Sequence, residues 1–339
     1  PDGGRGVGGE GLASAVTVET FGAPADRQVD EVGPAMEMPQ QTEVLERVHA
    51  AAMLAAQEGM HARAPLPSGP IALSYSALRA YRACPRRYQL QYELRLPPVP
   101  DALRPRAGAA AYGIRPYDPI VLGSAVHAAL ERYPEPEKAT REGLMAAFLG
   151  SCRVQGLDAA EIERAYRPHG ERMLDLYLRR VVGSGQVQRV YAELTVRQLM
   201  RDGPVPVYLV GRIDRVDLGA GGWRMVDYKT HRALAPADVE EAAVQLRLYK
   251  AAWQAGAAVA LGEQPGDPRL YVYEATGGAL REVEGGPRAL DAAVNLLCDV
   301  AGKIAAGDFA VPPDYDPPCA TCAFGGPYGL CPDRRDRQQ

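Results

Sequence analysis

The sequence predicts an α/β protein in which helices flank a mixed central sheet, and three features predict it. Residues 187–200, 207–218 and 223–231 alternate apolar and polar side chains and are rich in Val, Ile and Tyr, the pattern of half-buried strands. Residues 236–256 form a strong helical pattern, a crossover helix between the third of these strands and a further strand pattern at 268–276. Helical patterns at 73–96, 120–133, 140–152 and 159–183 precede the strands, and another at 287–307 follows them, so both sheet faces have helices available to cover them.

The chain has 339 residues, enough for one large domain or two ordinary ones, with a composition normal for a globular protein. Residues 1–41 are rich in Gly, Ala, Pro and acids without a sustained period and read as a linker or tail. Thr42 is placed to cap a helix over 43–58, stopped by Gly59, and "ARAPLPSGP" (62–70) reads as a second joint, so a compact domain is expected from about Ile71. The opening residues "PDGGRGVGG" carry neither an initiator Met nor a signal peptide, which suggests a processed or excised piece of a longer chain, and no apolar run is long enough for a membrane span. A cytoplasmic protein without membrane contact is the expectation.

In "LSYSALRAYRACPRRYQLQYELRL" (73–96) the Ser residues start a helix, Tyr81, Tyr88 and Tyr92 recur near helical spacing, and Pro85 bends or restarts it. Residues 97–119 are Pro- and Gly-rich and read as loop; 120–133 is a helix with small residues at its entry. The three strands are joined by a Gly–Pro turn and by "GAGG"; the helix at 236–256 has Pro at its first position and Gly after its end.

The net charge of −4 argues weakly against a nucleic-acid partner, but its distribution argues otherwise. Residues 1–70 hold ten acids against four Arg, whereas 78–106 hold seven Arg (79, 82, 86, 87, 95, 104 and 106) against Glu93 and Asp101. Such a stripe suits phosphate contact better than the total charge suggests.

Strand alternation places Asp227 and Lys229 of "MVDYKTHR" on one face, and antiparallel pairing across "GAGG" brings Asp214 of "GRID" toward Asp227. Two adjacent carboxylates repel unless a cation sits between them, and a hard divalent ion, Mg²⁺ or Mn²⁺, is the economical solution. Lys229 is then expected to pair through a metal-held water and a phosphate rather than in a static salt bridge, holding or helping to deprotonate the attacking water. Gln245 and Tyr249 lie four apart on one helical face, where they could bind phosphate, orient Lys229 or stack a nucleotide. Taken alone, each of these is an ordinary residue: a charged strand end, a buried Tyr with a polar neighbour, an interior His127, an exposed strand Glu193.

Six cysteines divide into two groups. Cys152 and Cys298 lie on apolar helix faces and read as packing. Cys319, Cys322 and Cys331 follow C-x2-C-x8-C in a Gly/Pro loop, and Cys84 in "RACPRR" supplies a fourth thiol for a zinc or iron–sulfur site.

Taken in order, Cys84, "GSAVH" with His127, "GRID" with Asp214, "VDYKT" with Asp227 and Lys229, "QLRLY" with Gln245 and Tyr249, then Cys319, Cys322 and Cys331 resemble the RecB-type nucleases of the PD-(D/E)xK superfamily. More narrowly they are similar to the iron–sulfur subset found in AddB- and AdnB-type helicase–nuclease subunits and in Cas4-like exonucleases. The resemblance spans residues 71–339 and implies the restriction-endonuclease-like fold. It implies that His127, Asp214 and Asp227 ligate the metal together with the Tyr228 carbonyl, that Lys229 is catalytic, and that Gln245 and Tyr249 stand beside the site. It further implies that Cys84, Cys319, Cys322 and Cys331 hold a [4Fe–4S] cluster joining the two ends of the domain. The implied activity is hydrolysis of DNA from single-stranded or duplex ends in repair or recombination, with residues 1–70 as a possible tether to a helicase motor. A standalone Cas4-like enzyme, or a non-catalytic DNA-binding module of the same fold, is the alternative. The eight-residue gap before Cys331 departs from the pattern, and Glu193 has no role assigned by it.

Overall fold

The computed structural model describes residues 69–98, 117–135, 138–181, 187–230, 233–257, 266–312, 319, 322–325 and 331, all within one compact unit, Val48–Gln339. The tail, the helix expected over 43–58, most of the joint at 62–70, most of the loop at 97–119 with Arg104 and Arg106, and His231 lie outside them.

The chain enters through a short strand, β1 (Ile71–Ser74), where the sequence pattern predicts the beginning of a helix. Only four residues long, β1 has too little alternation to be told from a helical turn, and its backbone is held by β3. Ser74 ends it and caps α1 (Tyr75–Ala83), accepting a hydrogen bond from the Ala77 amide at 3.1 Å. Cys84 is extended, Pro85 restarts the chain as α2 (Pro85–Tyr88), and one π-helical turn (Gln89–Glu93) completes the segment. Three longer helices follow: α3 (Pro119–Arg132), α4 (Arg141–Val154) and α5 (Arg167–Arg180), with a single short turn of helix, Ala159–Glu161, before the last. Asp118 and Thr140 cap the first two through their side chains, and a π-helical turn (Ile162–Tyr166) leads into the third.

Strands β2 (Val187–Met200), β3 (Val207–Gly219) and β4 (Gly222–Lys229) form the expected antiparallel meander. α6 (Pro236–Gln254) crosses over to β5 (Arg269–Glu274), which pairs parallel with β4. A strand not expected from sequence, β6 (Ala279–Val283), pairs antiparallel with β5 before α7 (Pro287–Ala305). β6 escapes sequence reading because it is short and its middle residues are exposed. The result is a mixed six-stranded sheet with helices on both faces. On one face Met225, Leu270 and Val272 pack with residues of α1, α6 and α7; on the other, Val226, Tyr228, Tyr271 and Tyr273 pack with α3, α4 and α5. Cys152 and Cys298 are buried as packing residues.

The pairing of β3 opens the site. β2 occupies one edge of β3 along its length. The other edge is shared: β1 pairs with Val207–Val210 and β4 with Arg215–Gly219. Residues 211–214 have no ladder partner on that edge, because β4 turns away beyond the Arg215–Val226 pair to follow β5. A fork between β3 and β4 results.

Candidate active site

The two-residue turn between Gly219 and Gly222 fixes the hairpin register, so Asp214 and Asp227 are the first residues past the last β3–β4 pair, one on each arm of the fork. Asp214 partly replaces the missing ladder: its Oδ2 accepts the Tyr228 amide at 2.7 Å. Burial pushes the Asp214 carboxyl well above the usual carboxylate range, the Asp227 charge adds to this, and the Tyr228 amide and Lys229 oppose it. A buried carboxylate beside another anion is an unfinished arrangement that a cation completes.

Lys229 and Asp227 share a face of β4, and the lysine folds back so that Nζ lies 2.8 Å from Asp227 Oδ2. A side chain of lysine length, two residues away on one strand face, reaches the carboxylate directly, whereas the expected pairing through a metal-held water and a phosphate belongs to the loaded site. The contact lies off the hydrogen-bonding direction, so the buried Oδ2 accepts no directed hydrogen bond among the described residues.

His127 arrives from α3. A Cβ on Gly123 would lie 2.7 Å from Thr230 Oγ1, so glycine lets the helix approach the end of β4. One turn later His127 stands over the fork, its Nδ1 3.8 Å from Asp214 Oδ1 and its ring edge-on to Tyr228. Burial lowers the His127 pKa, with Asp227 and a hydrogen bond to the Tyr228 backbone pulling upward and Lys229 pushing down. A neutral imidazole is the form that ligates a metal.

The sequence did not assign Glu193, yet it belongs here. His127, Glu193 and Asp214 each present a ligand atom within 4.8 Å of the others, close enough to share one ion. Glu193 has φ 50°, a left-handed backbone whose cost for a residue with a side chain is on the order of 1 kcal/mol. The alternation of both strands changes phase at this level. Leu209 and Ile213 face the α6–α7 core and so does Val216, while β2 moves from Tyr191 to Leu194 and Val196. Glu193 and Asp214 sit at that shared break, which turns a strand-like Glu into a site residue. The signal in the sequence was the phase change in the alternation.

Gln245 and Tyr249 come from α6. The Tyr249 hydroxyl hydrogen-bonds the Gln245 side chain and the Arg212 backbone, and its ring lies over Gly211. They brace the β3 arm of the fork next to Asp214. A Cβ on Gly211 would lie 2.8 Å from Tyr249 Cε1, so Gly211→Ala is expected to cost about 1–3 kcal/mol of stability and to lower activity. Urea unfolding of the variant checks this; an unchanged midpoint contradicts it.

The cysteines form a second locus. Phe324 is buried against Leu90, with Cys322 and Cys331 packed at that contact. The Cys322 amide donates to the Cys319 carbonyl and the Cys331 amide to the Phe324 carbonyl. Cys84 Sγ accepts the Arg87 amide at 3.4 Å, and Cys322 Sγ accepts the Phe324 amide at 3.5 Å. Burial pushes the Cys84 thiol up, and nearby Cys322 and Cys319 add to it. Cys319 and Cys322 thus come near Cys84, and Cys331 packs at the same Leu90–Phe324 contact as Cys322, but among the described residues no three of the four thiols lie within 4.8 Å of one another as the His127 group does.

The sequence matches the family described as "PD-(D/E)XK nuclease superfamily" over residues 72–326. No curated protein matches it. Among solved structures, the chain is similar to that in "Crystal structure of SSO0001", at 14% identity over 84% of this chain and 94% of that one, with a TM-score of 0.34, and nothing further is drawn from that likeness.

Proposed function

Since the chain belongs to the PD-(D/E)XK nuclease superfamily, we propose that it is a divalent-metal-dependent deoxyribonuclease that degrades DNA from its ends. The observation that carries the reading is the gathering of Asp214, Asp227, His127, Glu193 and Lys229 at the β3–β4 fork. Asp214, Glu193 and His127 fit a hard divalent ion, and Asp227 with the Tyr228 carbonyl borders the same place. Bound there, Mg²⁺ or Mn²⁺ would supply a Lewis acid for the phosphate and a nucleophile at neutral pH. Lys229, free to leave Asp227, steadies the negative charge that develops on the phosphate. Tyr249 and Gln245 keep the β3 arm in place, and the arginines of α1 and α2 provide positive charge for the DNA backbone.

The C-x2-C-x8-C loop together with Cys84 supports a reading in which the four cysteines hold an iron–sulfur cluster. Amide donors aimed at Cys84 and Cys322 sulfurs stabilise cluster ligands. Such a cluster would tie the α1–α2 junction to the C-terminal loop. A partnership with a helicase motor, as in helicase–nuclease subunits, is the reading of the chain's wider context; a Cas4-like enzyme working alone is the alternative. A non-catalytic module is disfavoured because none of the acids or the lysine is missing.

Anaerobically purified protein is expected to be brown, and Cys322→Ala to lose both the visible absorption and much of the thermal stability, whereas Cys152→Ala keeps the colour. Protein that contains one zinc and no iron would end the cluster reading. End-labelled linear DNA is expected to disappear with Mg²⁺ or Mn²⁺ and to survive in chelator.

A further inference from the structure

Behind the fork, on the face away from Asp227 and Lys229, lies a buried ionic network that the superfamily assignment does not explain. Arg215, the residue after Asp214, is 1% exposed. Its Nε donates to Asp217 Oδ1 at 2.6 Å, and its Nη1 donates to the Pro134 carbonyl at 3.2 Å and to the Tyr177 hydroxyl. Asp217 also accepts from Arg224 at 3.1 Å. The Tyr177 hydroxyl in turn shares a hydrogen bond with that of Tyr228.

A buried ion pair is a weak stabiliser, since desolvation offsets most of its attraction. Apolar side chains would fill the space at lower cost. What the network does achieve is orientation. Tyr228 is the middle residue of the Asp–x–Lys motif, and its side chain leaves the opposite face of β4 from Asp227 and Lys229, edge-on to His127 and into this network. Its amide holds Asp214 Oδ2, and its backbone hydrogen-bonds His127. A rotation of the Tyr228 peptide would therefore move two of the groups that face the ion.

We propose that the Arg215–Tyr177–Tyr228 hydroxyl chain is a positioning device that locks the Tyr228 peptide and, through it, sets the metal affinity of the fork. The inference rests on the nuclease reading above. Tyr177 and Tyr228 are positioning residues; neither hydroxyl touches the reacting atoms.

Tyr273 provides an internal control. Its ring meets Tyr177 and Tyr228 edge-on, at 6.1 and 6.0 Å between centroids, yet its buried hydroxyl has no hydrogen-bond partner among the described residues. Three single-atom deletions thus probe one cluster: Tyr228→Phe, Tyr177→Phe and Tyr273→Phe. Mn²⁺ binding is measured on each full-length protein from the loss of the free-ion EPR signal, alongside DNA cleavage and thermal unfolding.

Tyr228→Phe and Tyr177→Phe are expected to weaken Mn²⁺ binding about tenfold and to lower kcat similarly while the KM for DNA stays unchanged. Tyr273→Phe is expected to leave both at wild-type values. A role limited to stability would lower the melting temperature of the first two without moving Mn²⁺ affinity, and that result overturns the proposal. Equal effects in all three variants overturn it as well, since packing alone would then explain them. If the wild-type protein binds no Mn²⁺ and cuts no DNA, the nuclease reading itself fails and this inference falls with it. If wild type does both and the variants match it, only this inference falls.

Discussion

Lys229→Ala is expected to lower DNA cleavage by about a thousandfold or more while leaving fold, DNA binding and most metal affinity in place. The ammonium lies beside Asp227 at the fork, where it can meet the negative charge that develops on a phosphate. Removing a group that stabilises developing charge costs on the order of 10²–10³ in rate, and here the loss also leaves Asp227 without its partner. Asp227→Ala is expected to be as damaging but to differ in kind, because it also weakens metal binding. The double variant is expected to be scarcely worse than either single one, since groups that act as a unit give non-additive losses. Single-turnover cleavage of end-labelled DNA, with a filter-binding assay alongside, separates these effects. Cleavage by Lys229→Ala at the wild-type rate would return the motif to an ordinary charged strand end.

The largest stability effect is expected at Asp217. It is 1% exposed and is the shared acceptor for Arg215 and Arg224. Asp217→Ala leaves Arg215 buried among Tyr177, Tyr228 and apolar side chains with its charge uncompensated. Breaking a buried pair in this way costs about 3–5 kcal/mol, several times what an exposed pair contributes. By contrast, Lys138→Ala at the exposed Glu135 pair is expected to leave the denaturant midpoint essentially unchanged. Denaturant midpoints for the two variants test the contrast; similar midpoints would mean that the Arg215 charge finds another partner.

Much of this arrangement was legible in the sequence because local rules and the fold agree. The alternation in 207–218 and 223–231, joined by a two-residue glycine turn, fixes both the hairpin and its register. From that register the meeting of Asp214 and Asp227 follows without further information. "GSAVH" was legible in the same way: the small residue that lets α3 approach and the histidine one turn later share a helical face. The lysine of the motif was located, but its direct contact with Asp227 was not foreseen, because reach along a strand face depends on a rotamer that spacing does not specify.

What could not be read depends on exceptions to those rules. Glu193 looks like a solvent-facing strand residue until its left-handed backbone shifts the alternation of β2. Arg215 and Asp217, in "DRVD", look like the polar, outward side of an alternating strand. They are buried because the face of β3 opposite Val216 is covered as well, with Tyr177 of α5 against Arg215, which only the packed helix reveals. β1 and β6 are too short to carry a period. The cysteine loop was visible as a motif, but its contact with the π-helical turn after α2, through Phe324 and Leu90, joins residues more than two hundred positions apart.

The most direct test of the central claim is Mn²⁺ titration of the wild-type protein and Asp214→Ala, with DNA cleavage followed at each metal concentration. The account predicts saturable Mn²⁺ binding to wild type, displacement by Mg²⁺, and cleavage that rises with occupancy. It predicts that Asp214→Ala loses both together, because Asp214 is the ligand common to the His127–Glu193 group and the Asp227 arm. Cleavage by wild type that persists in excess chelator, or Mn²⁺ affinity that survives Asp214→Ala unchanged, would contradict it.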